Sequence, residues 1–358
     1  MNKRKKATLL LQDGREFSGW SFGYDGPSEG EIVFSTAMVG YPESLTDPSY
    51  SGQILCVSYP LVGNYGIPDE APDVQGLCTR FESEKIHVRG LVIADYSEKY
   101  SHWDASKSLE QWLQEQHVPG ICGIDTRALV QLLRDEGAQL GAIVPAGSPA
   151  PAAFPDPNLE NQVAIVSCRE VIRYGSGPKR VVLVDCGVKH QIIRCLLKRG
   201  IEVVRVPWDY DFNTLEWDGL FVSNGPGNPA LCDITVEHLR KALSGDKPVF
   251  GICMGNQLLS RAAGGTTFKL KYGHRSHNQP VRLCGTDRCF ITSQNHGFAV
   301  DTATLGPEWE PMFVNMNDGT NEGIRHKTKP FFSAQFHPEA SSGPVDTEFL
   351  FDEFISKL

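Results

Sequence analysis

Gly251-Ile252-Cys253-Met254-Gly255 places a cysteine between two glycines, each two residues away, the spacing of a nucleophile held on a tight turn between a strand and a helix. Side chains at the two glycine positions would collide with the elements packed around such a turn. A thiol there sits at a helix amino terminus, which favours thiolate, and the N–H groups of Met254 and its neighbours can bind a developing oxyanion. Much further along, Phe336-His337-Pro338-Glu339 offers an imidazole to serve as base and a carboxylate to orient it. Taken alone, a buried cysteine is a structural thiol and a His-x-Glu pair is a surface ion pair. Together the three supply the nucleophile, base and orienter of covalent catalysis.

The flanking residues show what must position them. Val249, Phe250 and Ile252 form a short apolar run suited to a central strand, and Leu258, Leu259, Ala262 and Ala263 recur at helical spacing beyond it. From residue 180 the pattern alternates. An apolar run at 181–184 precedes a helix through Ile192, Ile193, Leu196 and Leu197, then come runs at 202–206 and 219–222 and a helix through Val236, Leu239 and Leu243. Such alternation predicts βαβ units and a largely parallel sheet, whose ligands bind beyond the strands' carboxyl ends. Cys253 and the loop after Val222 both fall at that edge. After Gly264-Gly265 the chain becomes β-rich, with 294–300 read as a polar turn between β-like segments, and Phe351, Phe354, Ile355 and Leu358 mark a final helix.

The first half alternates short β-like runs (8–11, 31–34, 53–58) with turn signals at Asp13-Gly14, Asp25-Gly26 and Asp47-Pro48. An apolar strand is expected at 90–94. Leu109, Trp112 and Leu113 mark one helix; Thr126 is read as the cap of a second, with Leu129, Leu132 and Leu133 buried and Gly137 past its end. This half is therefore a mixed α+β domain. The Pro-rich segment 145–157 reads as an exposed connector. The expected division is a first domain at 1–150, which would face a partner, a linker at 151–178, and a second α/β domain at 179–358 whose first strand lies at 180–184.

With 358 residues the chain can hold two full cores, and a formal charge of -9 argues against nucleic-acid binding as its main task. The opening residues 1–6 are basic, but the apolar stretch 7–11 after them is too short for a signal sequence or a membrane span. Ten cysteines occur without C-x-x-C pairs or metal-ligand spacing. They read as reduced thiols of a cytoplasmic protein with no membrane role and no metal site.

The segment from Gly251 to Leu259, with His337-Pro338-Glu339, resembles the class I (triad) glutamine amidotransferases, and the match covers the second half. The resemblance implies catalysis by Cys253, His337 and Glu339 on L-glutamine. It assigns the loop Ser223-Asn224-Gly225-Pro226-Gly227 to the oxyanion, with Gly225 and Gly227 contacting glutamine. Asn295, Gly297 and Phe298 would line the pocket, joined by Met254 and Gln257. Asn256 stands where many relatives carry histidine, a departure expected to alter hydrogen bonding more than chemistry. Residues 30–53, from Gly30-Glu31-Ile32 to Ser51-Gly52-Gln53, are similar to the amino-terminal signature of the small, glutamine-hydrolysing chain of carbamoyl phosphate synthetases, and Asn64-Tyr65-Gly66 and Ile124-Asp125-Thr126-Arg127 agree. Ser35, Ala37 and Val39 depart from it. Ser49 matches that family's one first-domain residue at the glutamine site.

No phosphate-binding Gly-x-x-x-x-Gly-Lys-Ser/Thr loop is present. The expectation is that this chain carries no cofactor. ATP and Mg would belong to a larger synthetase subunit that receives the ammonia and makes carbamoyl phosphate from bicarbonate, for arginine and pyrimidine synthesis. Two rivals stand beside this reading. A free-standing glutaminase or γ-glutamyl hydrolase would turn over rapidly alone and leaves residues 30–66 unexplained. A non-catalytic scaffold would leave Cys253 unmodified by a glutamine-like electrophile.

Overall fold

The computed structural model describes residues 4–358 and divides the chain into two compact units, residues 1–160 and 161–358. The first three residues of the basic opening lie outside the described residues.

The first unit comprises β1 (Lys6–Leu11), β2 (Glu16–Gly23), β3 (Ser28–Ser35), α1 (Tyr41–Thr46), β4 (Gln53–Val57), β5 (Ile67–Pro68), β6 (Gly90–Ile93), β7 (Ala105–Lys107), α2 (Leu109–Glu115), β8 (Pro119–Cys122), α3 (Thr126–Glu136) and β9 (Gln139–Pro145). Seven of its strands close into a barrel in the order β1-β2-β8-β6-β4-β3-β9. Strands β3, β4, β6 and β8 pair in parallel with one another, and the remaining pairings are antiparallel. Alternation builds two cores from the same strands. Leu9, Leu11, Ile32, Phe34, Ile54 and Val92 pack with Leu129 and Leu133 of α3, while Val33, Leu55, Leu91 and Ile93 pack with Leu109, Trp112 and Leu113 of α2. Strands apolar on both faces read as continuous runs, as β4 and β6 do.

Three expectations for this half change. The α3 cap is Asp125, whose carboxylate accepts from the Ala128 N–H at 2.9 Å; Thr126 is the first helical residue. Strands β2, β8 and β9 also lack strong signals: Glu16–Gly23 carries Gly and Ser between its apolar residues, and the other two contain Pro and Gly. The expected linker 151–178 is divided between the units, and its second part is structured.

The second unit begins with α4 (Gln162–Val166) and β10 (Ile172–Tyr174). It continues through β11 (Lys179–Asp185), α5 (His190–Leu197), β12 (Ile201–Pro207), β13 (Gly219–Val222), α6 (Asp233–Leu243), β14 (Val249–Ile252) and α7 (Met254–Ala262). Then come β15 (Thr266–Leu283), β16 (Cys289–Asp301), β17 (Trp309–Asn315), β18 (Asn321–His326), β19 (Phe331–Ala334) and α8 (Phe349–Ile355). They form one ten-stranded sheet in the order β10-β12-β11-β13-β14-β19-β18-β17-β15-β16. Pairing is parallel from β12 to β19 and antiparallel elsewhere. The short edge strand β10, inside the expected linker, precedes the predicted first strand.

Alternation again separates two faces. Val182, Val184, Leu220 and Val222 meet Val236 and Leu239 of α6 and Leu258 and Leu259 of α7. On the other face Phe221 and Phe250 pack against Phe351 and Phe354 of α8, with ring centroids 5.7–6.0 Å apart. The stretch 294–300 is corrected most. It lies inside β16 with its polar side chains Gln294, Asn295 and His296 buried.

Candidate active site

Strand β14 delivers Cys253 to the carboxyl edge of the sheet, between two parallel neighbours, and α7 starts with the next residue. Cys253 has φ 54° and ψ -101°, a conformation that costs on the order of 1–3 kcal/mol for a residue with a side chain. Surrounding bonds hold it. The Cys253 N–H donates to the Ala334 carbonyl at 2.8 Å, and the Gly255 N–H donates to Ser223 O at 3.0 Å. The flanking glycines are required by contact: a Cβ on Gly251 would lie 2.5 Å from the Gly255 carbonyl group, and one on Gly255 would overlap Val222 O. The thiol itself is buried, with Sγ 3.7 Å from the Asn295 carbonyl oxygen.

Strand β19, paired in parallel with β14 through Ile252 and Ala334, brings His337 to the same edge three residues past its end. The His337 N–H donates to Ser293 O at 2.9 Å, which fixes the loop against β16. Its imidazole Nδ1 meets Glu339 Oε1 at 2.7 Å. With Nδ1 so engaged, interaction with Cys253 falls to Nε2, a buried atom with no hydrogen-bond partner among the described residues. Burial works against a charged ring, but the Glu339 carboxylate and the Cys253 side chain outweigh it and push the His337 pKa up to about 10. Burial likewise opposes ionisation of Glu339, and the neighbouring Lys189 and His337 charges overcome it, holding the carboxyl down at about 2.

Lys189 was not singled out by sequence. It lies just past the carboxyl end of β11, buried, with Nζ 3.1 Å from Glu339 Oε1 and donating to Ala340 O at 2.7 Å. The available signal was its position: a lysine in the Gly187-Val188-Lys189 turn at the same sheet edge. Asp185 shapes that turn by accepting from the Gly187 and Val188 N–H groups, both at 2.8 Å, and is itself paired with buried Arg205 at 2.7 Å.

The remaining predicted residues of this unit gather near the thiol to different degrees. Asn295 touches it through its carbonyl. Gln257 donates from Nε2 to Phe298 O at 2.9 Å and to Gln335 Oε1 at 3.2 Å, tying α7 to the strand that carries Asn295, Gly297 and Phe298. Met254 opens α7, so its N–H belongs to the first turn, which has no intrahelical acceptors. Gly225 and Gly227 follow β13. A Cβ on Gly225 would overlap the Cys186 carbonyl, and Gly227 has φ 80°. Asn256 donates to Gln335 Oε1 at 2.8 Å and accepts from Ser333 Oγ at 2.7 Å, binding α7 to β19 away from the reacting atoms. Ser49 lies in the first unit, in the 3-10 turn Pro48–Tyr50, where its N–H donates to Asp47 Oδ1 at 2.9 Å.

The sheet and the Cys-His-Glu geometry define the second unit as a class I glutamine amidotransferase fold, and residues 182–357 match the family model described as glutamine amidotransferase class-I. Residues 9–143 match the carbamoyl-phosphate synthase small chain, CPSase domain. The chain is 50% identical over 365 residues to the carbamoyl phosphate synthase arginine-specific small chain of Saccharomyces cerevisiae, covering 99% of this chain and 89% of that one. It is therefore a member of the carbamoyl-phosphate synthase small-chain family. It is also 51% identical to the mitochondrial carbamoyl-phosphate synthase (ammonia) of Aquarana catesbeiana and to the multifunctional protein CAD of Squalus acanthias, spanning 24% and 16% of their lengths. Among solved structures, a glutamine amidotransferase from Thermotoga maritima is 15% identical over 46% of this chain and 77% of its own, with a TM-score of 0.37.

Proposed function

We propose that this chain hydrolyses L-glutamine and supplies the ammonia for carbamoyl phosphate synthesis. The observation that carries this reading is the relay itself: a strained, buried Cys253 against the imidazole of His337, whose other nitrogen meets Glu339 at 2.7 Å. His337 takes the thiol proton through Nε2, and the thiolate attacks the side-chain amide carbon of glutamine. The tetrahedral oxyanion is met by first-turn amides of α7 and by the backbone around Gly225 and Gly227, where each donor is worth ~100- to 1000-fold in rate. The imidazolium then returns its proton to the departing nitrogen, and ammonia leaves. Water, deprotonated by His337, opens the γ-glutamyl thioester to give glutamate and restore the thiol. Asn295, Gly297, Phe298, Gln257 and Met254 form the glutamine pocket in this scheme.

The acceptor of the ammonia is a larger ATP- and Mg-using synthetase subunit that makes carbamoyl phosphate from bicarbonate, and the first unit is the part that faces it. Support comes from the match of residues 9–143 and from relatives whose names include both an arginine-specific small chain and multifunctional proteins. A cytoplasmic location is supported by ten cysteines left as free thiols. No helix among the described residues is long and apolar enough to cross a membrane.

The test is Cys253→Ser in the complex reconstituted with that subunit. Glutamine-dependent carbamoyl phosphate synthesis should disappear while ammonia-dependent synthesis stays intact. Loss of both activities would contradict the division of labour.

A further inference from the structure

Behind the strand that carries Asn295, three buried side chains from three different strands converge: His274 of β15, His296 of β16 and Glu322 of β18, with their ligand-type atoms all within 4.8 Å of one another. His274 and His296 are directly opposed across the β15–β16 pair, their rings edge to face with centroids 4.9 Å apart.

The hydrogen bonds fix which atoms carry lone pairs. His296 Nδ1 lies 2.8 Å from the Phe298 carbonyl, so Nδ1 holds a proton and, in the neutral ring, Nε2 presents a lone pair. Nε2 nevertheless sits 3.1 Å from Gln294 Oε1, one acceptor against another. Turning the Gln294 amide over does not relieve this. Its Nε2 donates to Thr292 Oγ1 at 3.1 Å, and the Thr292 hydroxyl proton is committed to Gln279 O at 2.9 Å.

On the opposite side His274 Nε2 is bonded to Asp318 at 2.8 Å, leaving Nδ1 turned toward Glu322 Oε1 at 3.5 Å and without a hydrogen-bond partner among the described residues. Glu322 Oε1 already accepts from Asn315 at 2.8 Å, and Oε2 has no hydrogen-bond partner among the described residues. A doubly protonated His274 would account for its contacts with Asp318 and Glu322. It leaves the His296–Gln294 acceptor pair unexplained.

We propose that His274 Nδ1, His296 Nε2 and Glu322 bind a divalent first-row cation, zinc by preference, with Gln294 Oε1 or water as fourth ligand. Two neutral imidazoles and a carboxylate are a usual zinc set. Bonds of about 2.0–2.2 Å at tetrahedral angles place ligand atoms roughly 3.3–3.5 Å apart, the range of the His274–Glu322 and, nearly, the His296–Gln294 contacts. Asp318 on His274 and the Phe298 carbonyl on His296 orient the two rings from their far nitrogens, as outer-shell partners of metal-bound histidines do. Glu322 and Asp318 together balance a dication. Because β15, β16 and β18 each give one ligand, the ion clamps the strand that presents Asn295 to Cys253. Its role is structural.

The untagged full-length chain, purified without chelator and dialysed, is assayed for metal by mass spectrometry, and a metal-stripped sample is titrated with zinc and with Co(II). About one equivalent of zinc should be retained, zinc should raise the melting temperature of the stripped chain, and Co(II) should show tetrahedral d–d bands. His274→Asn and Glu322→Gln should each weaken binding at least ~10-fold, while Cys289→Ser, at an exposed thiol outside the cluster, should not. A folded wild-type chain that takes up no stoichiometric metal, or metal retained undiminished by a folded variant, overturns the proposal. Should neither variant fold, the zinc-dependent melting shift of the wild type decides.

Discussion

Replacing Glu339 with Gln keeps the size and shape of the side chain and removes the charge that His337 Nδ1 meets at 2.7 Å. Glu339 is the largest influence that raises the His337 pKa, and burial is the larger one that opposes it. In Glu339→Gln the ring should therefore fall from about 10 to its ordinary 6.5 or below, a loss of roughly 5 kcal/mol from the imidazolium form. If about half to all of that loss reaches the proton-transfer transition state, glutamine hydrolysis falls ~10²- to 10⁴-fold, with a smaller change in KM. Two assays apply: glutaminase turnover as a function of pH, and the rate at which iodoacetamide alkylates Cys253, which follows thiolate formation. Both should drop together at neutral pH. The same change bears on stability. The raised His337 pKa contributes stability that is complete below pH 6.5 and lost as pH rises through about 10; the lowered Glu339 pKa contributes stability present above pH 4.5 and lost as pH falls through about 2. The gap in unfolding free energy between wild type and variant should thus be widest between pH 4.5 and 6.5. Turnover within tenfold of wild type, with alkylation unchanged, would refute the assignment of Glu339 as the group that orients and charges His337.

Three other perturbations follow from the same geometry. Gly255→Ala puts a methyl group into the Val222 carbonyl and should cost about 1–3 kcal/mol in urea unfolding, or displace the elbow and silence Cys253. Arg205→Met takes the buried cation from Asp185 beneath the turn that carries Lys189, and should lower stability by about 3–5 kcal/mol. Lys189→Met removes the cation 3.1 Å from Glu339, so the pH at which acid abolishes glutaminase activity should move upward; an unchanged acid limb would show that Lys189 does not act through Glu339.

The elbow was legible because its requirements are local: the glycines stand two residues from Cys253, and each meets backbone in the folded chain. His337 and Glu339 were legible for the same reason, as a pair two residues apart. What escaped notice depends on contacts made across the sheet. Lys189 acquires meaning only when the turn after β11 is placed beside the end of β19. Residues 294–300 read as a turn because their side chains are polar, yet β16 continues through them, its backbone paired with β15 and the Gln294 and His296 side chains bonded to other residues of the same strand. The barrel of the first unit was equally hidden, since closure joins β9 to β1 across more than a hundred residues. Likewise, no spacing along the chain announces His274, His296 and Glu322, which three strands bring together.

The most direct measurement is mass-spectrometric mapping of the chain after treatment with a glutamine-like electrophile, with and without excess L-glutamine. Stoichiometric modification confined to Cys253, slowed by glutamine and lost in His337→Asn, is the predicted result. Modification spread over the other nine cysteines, or a Cys253 that stays unmodified while the folded protein is intact, would contradict it.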